Sequence, residues 1–164
     1  MGSGKEGGAS FTLYFPLVST QQGQPNHITP PADKSKKGKI LVVDDEEVVR
    51  ELLKGILVAE GFGVLQASDG PGALAIFEAE GESINLVILD MTMPGMKGED
   101  VLNRLRKASK TMKVIISSGF MSEEQRDKLE EYGADGFLDK PYSDKDVINA
   151  VESVLSLQYV ADLT

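Results

Sequence analysis

Cysteine is absent from the 164 residues, which removes both a disulfide framework and a thiolate metal site from consideration. Histidine occurs once, at His27 among Pro25, Pro30 and Pro31, with no second ligand nearby, so it reads as a solvated linker residue. No apolar run approaches the ~20 residues of a membrane span. No basic segment followed by a long apolar core marks a secretory leader. Positive charge is also scarce: 17 Lys and Arg stand against 26 Asp and Glu, a formal net charge of −9. That balance argues against an electrostatic nucleic-acid binder, which needs a basic face to neutralise phosphates. These absences predict a cytoplasmic stretch with no nucleic-acid partner and no membrane contact of its own.

What the chain does have is Asp90-Met91-Thr92-Met93-Pro94-Gly95-Met96-Lys97-Gly98, directly after the apolar run Leu86-Val87-Ile88-Leu89. A short branched run closed by a turn signal reads as a buried strand. Ile40-Leu41-Val42-Val43 ends in the same way, in Asp44-Asp45. Met91, Met93 and Met96 read as loop packing around Pro94, with a methionine-rich binding surface as the alternative.

Further strands are expected at Val64–Ala67, Val114–Ser117 and Gly136–Leu138. The expected helices begin near Glu46 (stopped by Gly61), at Asp69-Gly70-Pro71, around Val101–Leu105, at Glu123–Tyr132 (stopped by Gly133) and near the N-cap Ser143. Five strands alternating with five helices imply a doubly wound α/β fold, a five-stranded parallel sheet covered on both faces. The order 2-1-3-4-5 places its switch point between strands one and three, the two that end in Asp44-Asp45 and Asp90. The expected division is a segment at 1–18 with a strand-like Phe11–Phe15, a Pro-, Gln- and Lys-rich linker at 19–38, one domain at 39–158 and a tail at 159–164.

The predicted strand ends carry Asp44, Asp45, Asp90, Thr92, Ser117, Ser118 and Lys140. Three crowded carboxylates ionise together only if a cation joins them. Oxygen ligands without His or Cys favour a hard ion, Mg²⁺, which keeps waters and leaves room for a phosphate oxygen. With a lysine and a hydroxyl, these parts stabilise charge on a transferring phosphoryl group, and Asp90 is the natural acceptor. Taken singly, Asp44 and Asp45 could also be helix caps, and Lys140 a surface lysine.

From Lys39 to about Leu157 the chain resembles a response-regulator receiver domain, which is flavodoxin-like. The resemblance lies in Leu41-Val42-Val43-Asp44-Asp45, Asp90 to Gly98, Ile115-Ile116-Ser117-Ser118-Gly119 and Gly133-Ala134-Asp135-Gly136-Phe137-Leu138-Asp139-Lys140-Pro141-Tyr142. It implies that Asp90 is the phosphoacceptor and that Asp44, Asp45, Asp90 and the backbone carbonyl of Thr92 bind Mg²⁺. It implies further that Ser118 is the switch hydroxyl, that Lys140 pairs with the phosphoryl group and that Phe137 stands at the switch aromatic position, often tyrosine. The Lys140–Pro141 bond is expected to be cis. Thr92 and Phe120, two residues beyond Asp90 and Ser118, would line the path of attacking water, with Phe120 screening the phosphoryl group. The implied partner is a histidine kinase or phosphotransfer protein carrying phosphohistidine; the downstream partner is not implied.

Gly7-Gly8-Ala9-Ser10-Phe11-Thr12-Leu13-Tyr14-Phe15-Pro16 resembles the tail of a histidine-kinase ATP-binding domain, with Glu6 and Ala9 where glycine and threonine are more usual. That implies a C-terminal piece of a hybrid histidine kinase. The other reading is a glycine-rich start left by cloning. No DNA-binding domain follows Leu157, so output is expected through another chain or another part of this one. The fragment reads as a phosphoacceptor rather than a turnover enzyme. Two alternatives remain: a haloacid-dehalogenase-like phosphatase with Asp90 as nucleophile, which would want an acid where Thr92 stands, and a binding module that is never phosphorylated.

Overall fold

A computed structural model describes residues 37–161. Asp44 and Asp90 owe their neighbourhood to a parallel sheet whose strands are β1 (Lys39–Val43), β2 (Gly63–Ala67), β3 (Ile84–Asp90), β4 (Lys113–Ser118) and β5 (Gly136–Asp139). They pair in the order β2-β1-β3-β4-β5, as the alternating pattern predicts. The helices between them are α1 (Glu47–Ala59), α2 (Gly70–Glu80), α3 (Gly98–Ala108), α4 (Glu123–Glu131) and α5 (Asp144–Ala161). A 3₁₀ turn at Gly81–Ser83, which no apolar periodicity announces, leads into β3. Among the described residues no helix is long and apolar enough to cross a membrane. The expected 1–18 segment, His27 and the linker up to residue 36 lie outside the described residues.

Side chains alternate across the sheet, so each strand feeds two cores. Ile40, Val42, Leu86, Ile88 and Ile115 meet Leu53 and Leu57 of α1 and Val147, Val151 and Val154 of α5. Leu41, Val43, Val87, Leu89, Val114 and Ile116 meet Ala73 of α2, Val101, Leu102 and Leu105 of α3 and Leu129 of α4. Each large side chain so buried contributes about 1.5–3 kcal/mol. Met93 is buried in the second core, with Met91 and Met96 packed against it, so the methionines fill the loop around Pro94.

The strands outrun their apolar runs. Lys39, Lys113, Ser118 and Asp139 remain in the ladder, and Asp90 is the last residue of β3 rather than the first of a loop. α4 ends at Glu131, one residue before the expected Tyr132, which caps it. The predicted stops Gly61 and Gly133 have φ of 93° and 97°, the left-handed conformation that suits glycine after a helix. Ser143 caps α5 as expected: its Oγ accepts from the Asp146 N–H at 3.4 Å, while Asp146 Oδ2 accepts from the Ser143 N–H at 2.8 Å.

Gly98 opens α3 just past the Asp90 loop, and a Cβ there would lie 2.8 Å from the Asp90 carbonyl oxygen and 2.9 Å from Met91 Cα. Backbone cannot step aside as a flexible side chain can, so Gly98→Ala should cost about 1–3 kcal/mol. Gly55 lies inside α1 with nothing within 4 Å of its would-be Cβ. Gly55→Ala should instead stabilise by about 0.5–1 kcal/mol. Urea denaturation of the two variants checks the opposite signs.

Candidate functional site

β1 and β3 are direct neighbours, with Val43 in register with Leu89, so Asp44 and Asp90 leave the sheet side by side. Strand alternation sets both on the α1/α5 face, following Val42 and Ile88. Each is only 1 % exposed, while Asp45 is exposed. One carboxylate oxygen from each of Asp44, Asp45 and Asp90 lies within 4.8 Å of the others.

Lys140, the first residue past β5, brings its ammonium into this group. Nζ donates to Asp44 Oδ2 at 2.8 Å and to Asp90 Oδ1 at 3.0 Å. The Lys140 N–H donates to the Ser118 carbonyl at 2.8 Å, fixing the stem as well as the head. Burial alone would lower the lysine's pKa, but its hydrogen bonds to Asp44 and Asp90, and their charges, raise it above the ordinary 10.5. A raised lysine pKa stabilises the fold fully below the ordinary value, and that contribution is lost only as the pH climbs through the raised one. The ammonium is therefore charged across the physiological range. The Lys140–Pro141 bond is cis, as the resemblance implies.

Thr92 grips Asp90 from the other side: its N–H and its hydroxyl donate to Asp90 Oδ2 at 2.9 and 2.8 Å. Both oxygens of Asp90 are thus engaged. Ser118, at the end of β4, is 6 % exposed. With Met91, Thr92, Lys97 and Phe120 it lines a cavity of about 420 Å³ between the Asp90 loop and α4. Among the described residues its hydroxyl makes no hydrogen bond. Phe137 is half-buried, and the Arg126 guanidinium lies 4.9 Å from its ring centroid; Arg126 also pairs with Asp139.

Phe120 differs from expectation. At 91 % exposure its ring stands in solvent at the cavity rim and screens nothing.

Two features went unread in the sequence, the Arg50 contact and the buried Ser117 and Tyr142 hydroxyls. Arg50 Nη1 donates to the Asp44 carbonyl oxygen at 2.7 Å; its only sequence signal is one basic residue in a run of acids opening α1. Asp44, read in the sequence both as a possible helix cap and as part of the acidic cluster, does both: its Oδ1 accepts from the Glu46 N–H at 2.9 Å at the helix entry. The Ser117 Oγ and the Tyr142 hydroxyl are both buried and, among the described residues, have no hydrogen-bond partner. Burial raises the Tyr142 pKa, opposed by the Lys140 charge and by the nearby Ser117 hydroxyl, which falls short of hydrogen-bond geometry.

The family model for the response regulator receiver domain matches residues 40–152. The transcriptional regulatory protein CpxR of Klebsiella pneumoniae subsp. pneumoniae (strain HS11286) is 40 % identical over 117 residues, 71 % of this chain and 49 % of that protein. The sensory transduction protein RegX3 of Mycolicibacterium smegmatis (strain ATCC 700084 / mc(2)155) is 38 % identical over 118 residues, 71 % of this chain and 50 % of that protein. The chain thus spans about half the length of the curated relatives it matches. Among solved structures, a response regulator receiver domain protein from Clostridium thermocellum superposes with a TM-score of 0.71 at 33 % identity, covering 76 % of this chain and 98 % of that one. Chemotaxis protein CheY4 of Vibrio cholerae gives a TM-score of 0.69 at 28 % identity, covering 72 % and 98 %.

Lys140 is the one ammonium within ion-pair reach of Asp44 or Asp90 among the described residues. Lys140→Met should therefore cost about 3–5 kcal/mol, the usual penalty for stripping the partner from a buried charge. Adding Asp44→Asn, which relieves the repulsion, should return part of that loss. Urea denaturation in chelator measures both.

Proposed function

The chain belongs to the response regulator receiver domain family of two-component systems, and from that premise we propose that Asp90 accepts a phosphoryl group from a phosphohistidine. The observation that carries this reading is the buried Asp90 carboxylate at the end of β3, held 3.0 Å from the Lys140 ammonium beside Asp44. An Asp90 oxygen forms the O–P bond while the donor's P–N bond breaks, and the imidazole departs and takes up a proton from solvent. Lys140 stays charged and holds the developing negative charge. Ser118 supplies a hydroxyl, in the cavity it shares with Thr92, that is free to turn toward the phosphoryl group. The added charge then biases the surface formed by Ser118, Phe137 and α4, through which a downstream protein is contacted.

Receiver domains bind Mg²⁺ through acidic residues, and the donor set here fits that ion. Asp44, Asp45 and Asp90 offer oxygen alone, within 4.8 Å of one another, and Asp45 is open to water. We assign them, with the Thr92 carbonyl, as the residues that would hold it. When bound, the cation neutralises charge on the transferring group. Thr92, where a haloacid-dehalogenase-like phosphatase would carry a second acid, favours a stoichiometric acceptor over a turnover enzyme. An origin in a hybrid histidine kinase rests on Gly7–Pro16 and stays a proposal from sequence, as do the boundaries at 18, 38 and 158.

Asp90→Asn should abolish acid-labile labelling by a small phosphodonor such as acetyl phosphate while the circular dichroism stays native. Labelling at the wild-type level would refute the assignment. Phosphoryl loss is expected to be slow, because neither position flanking the site carries an amide or acid to hold a water in line: Thr92 already spends its hydroxyl on Asp90, and Phe120 is apolar and lies in solvent. Thr92→Asn should speed that loss about tenfold, on the order of 1.4 kcal/mol in the barrier. Phe120→Glu alone should change it little. Decay of the labelled protein measures each.

A further inference from the structure

We propose that Arg50 is a positioning residue for the cation site: its guanidinium fixes the Asp44–Asp45 peptide and, through it, the direction of the Asp45 carboxylate. The inference rests on reading the acidic cluster as a Mg²⁺ site. Arg50 is half-buried in the first turn of α1, surrounded in sequence by Asp44, Asp45, Glu46, Glu47 and Glu51. Among the described residues it forms an ion pair with none of them. It donates instead to a neutral main-chain oxygen, that of Asp44, at 2.7 Å.

That oxygen is the last free atom of Asp44 to be pinned. The Asp44 N–H donates to the Ala67 carbonyl at 3.2 Å, Oδ1 accepts from the Glu46 N–H and Oδ2 from Lys140. Only the carbonyl belongs to the peptide leading into Asp45, and because a peptide is planar, fixing it sets where Asp45 departs. Asp45 needs such help. It is exposed, and among the described residues its carboxylate accepts no hydrogen bond, in contrast to Asp44 and Asp90. Glu46, the N-cap of α1, gives no side-chain bond to steady the turn. Arg50 is thus the outer contact that holds a first ligand in place, a role whose loss typically weakens metal binding about 10–100-fold.

A point charge beside the site would act in the opposite sense, since a cation repels a cation. Calorimetric titration of the 164-residue protein with Mg²⁺ and separately with Ca²⁺ decides between the two. Mg²⁺ demands near-ideal octahedral ligands, while Ca²⁺ accepts irregular ones. Arg50→Gln should raise the Mg²⁺ dissociation constant about tenfold and that for Ca²⁺ by no more than about twofold. Unchanged or tighter Mg²⁺ binding overturns the proposal, and so does an equal weakening of both ions, which would mean a general loosening of the fold. If Arg50→Gln does not fold, Arg50→Lys takes its place: it keeps the charge but loses the planar fork, so a smaller, about threefold loss confined to Mg²⁺ is expected. Binding identical to wild type would then overturn the proposal. A wild-type protein that binds no Mg²⁺ brings down the reading of the cluster itself, and this inference with it.

Discussion

Two carboxylates buried side by side at one end of a parallel sheet are an electrostatic liability, and the molecule is arranged around containing it. Asp44 and Asp90 are each 1 % exposed, and among the described residues a single ammonium, that of Lys140, lies between them. Water cannot supply the missing screening at that depth, so position has to. The stem of Lys140 is therefore tied by its main-chain N–H to Ser118, and the chain past it is started into α5 by the Ser143–Asp146 cap. Each constraint on Lys140 is indirectly a constraint on Asp90.

The far end of the sheet keeps that geometry in register. Arg106 of α3 reaches the carbonyls of Met112 and Gly133 and the Asp135 carboxylate. Asp135 also accepts from Lys113 Nζ at 3.0 Å and from the Val114 N–H at 2.9 Å. One carboxylate thus ties the start of β4 to the turn that begins β5. Strands locked at their entry deliver Ser117 opposite Asp90 and Ser118 opposite Asp139 at their exit. Both ends of β4 and β5 serve the same purpose, to set where Lys140 emerges.

This explains which parts were legible in the sequence. Apolar runs that end in Asp44-Asp45, Asp90 and Ser118 give fold, strand order and acidic cluster together, because parallel strands share one exit edge. Polar residues inside the ladder, such as Lys39, Lys113 and Asp139, escaped, since periodicity reads only the buried face. Arg50 escaped because its partner is a main-chain oxygen, which leaves no pairing pattern. The hold of Thr92 on Asp90 depends on a loop torsion rather than spacing. Phe120 was misplaced for a related reason: two positions past Ser118 fixes an address but not a direction, and the loop leaves its ring in solvent. The buried hydroxyls of Ser117 and Tyr142 come from strands and helix starts far apart in sequence, and only the fold brings them near each other.

The end of β5 shows how a charge at Asp90 would reach the surface. Leu138 is buried in the α1/α5 core, Asp139 pairs with Arg126 of α4, and Lys140 enters the acidic cluster. Three consecutive residues join core, surface and site, so Lys140 cannot move without loading Asp139. The two links differ in strength. The Arg126–Asp139 pair has its carboxylate 60 % exposed and is worth about 0–1 kcal/mol, with about 0.5–1 kcal/mol more from the cation over Phe137. Breaking the buried contacts of Lys140 costs about 3–5 kcal/mol. When the two compete, the outer link gives way first. Coupling through this route would be reciprocal and bounded by the weaker outer link, so a partner on α4 would bias the site by the same free energy with which a charge at Asp90 would bias α4.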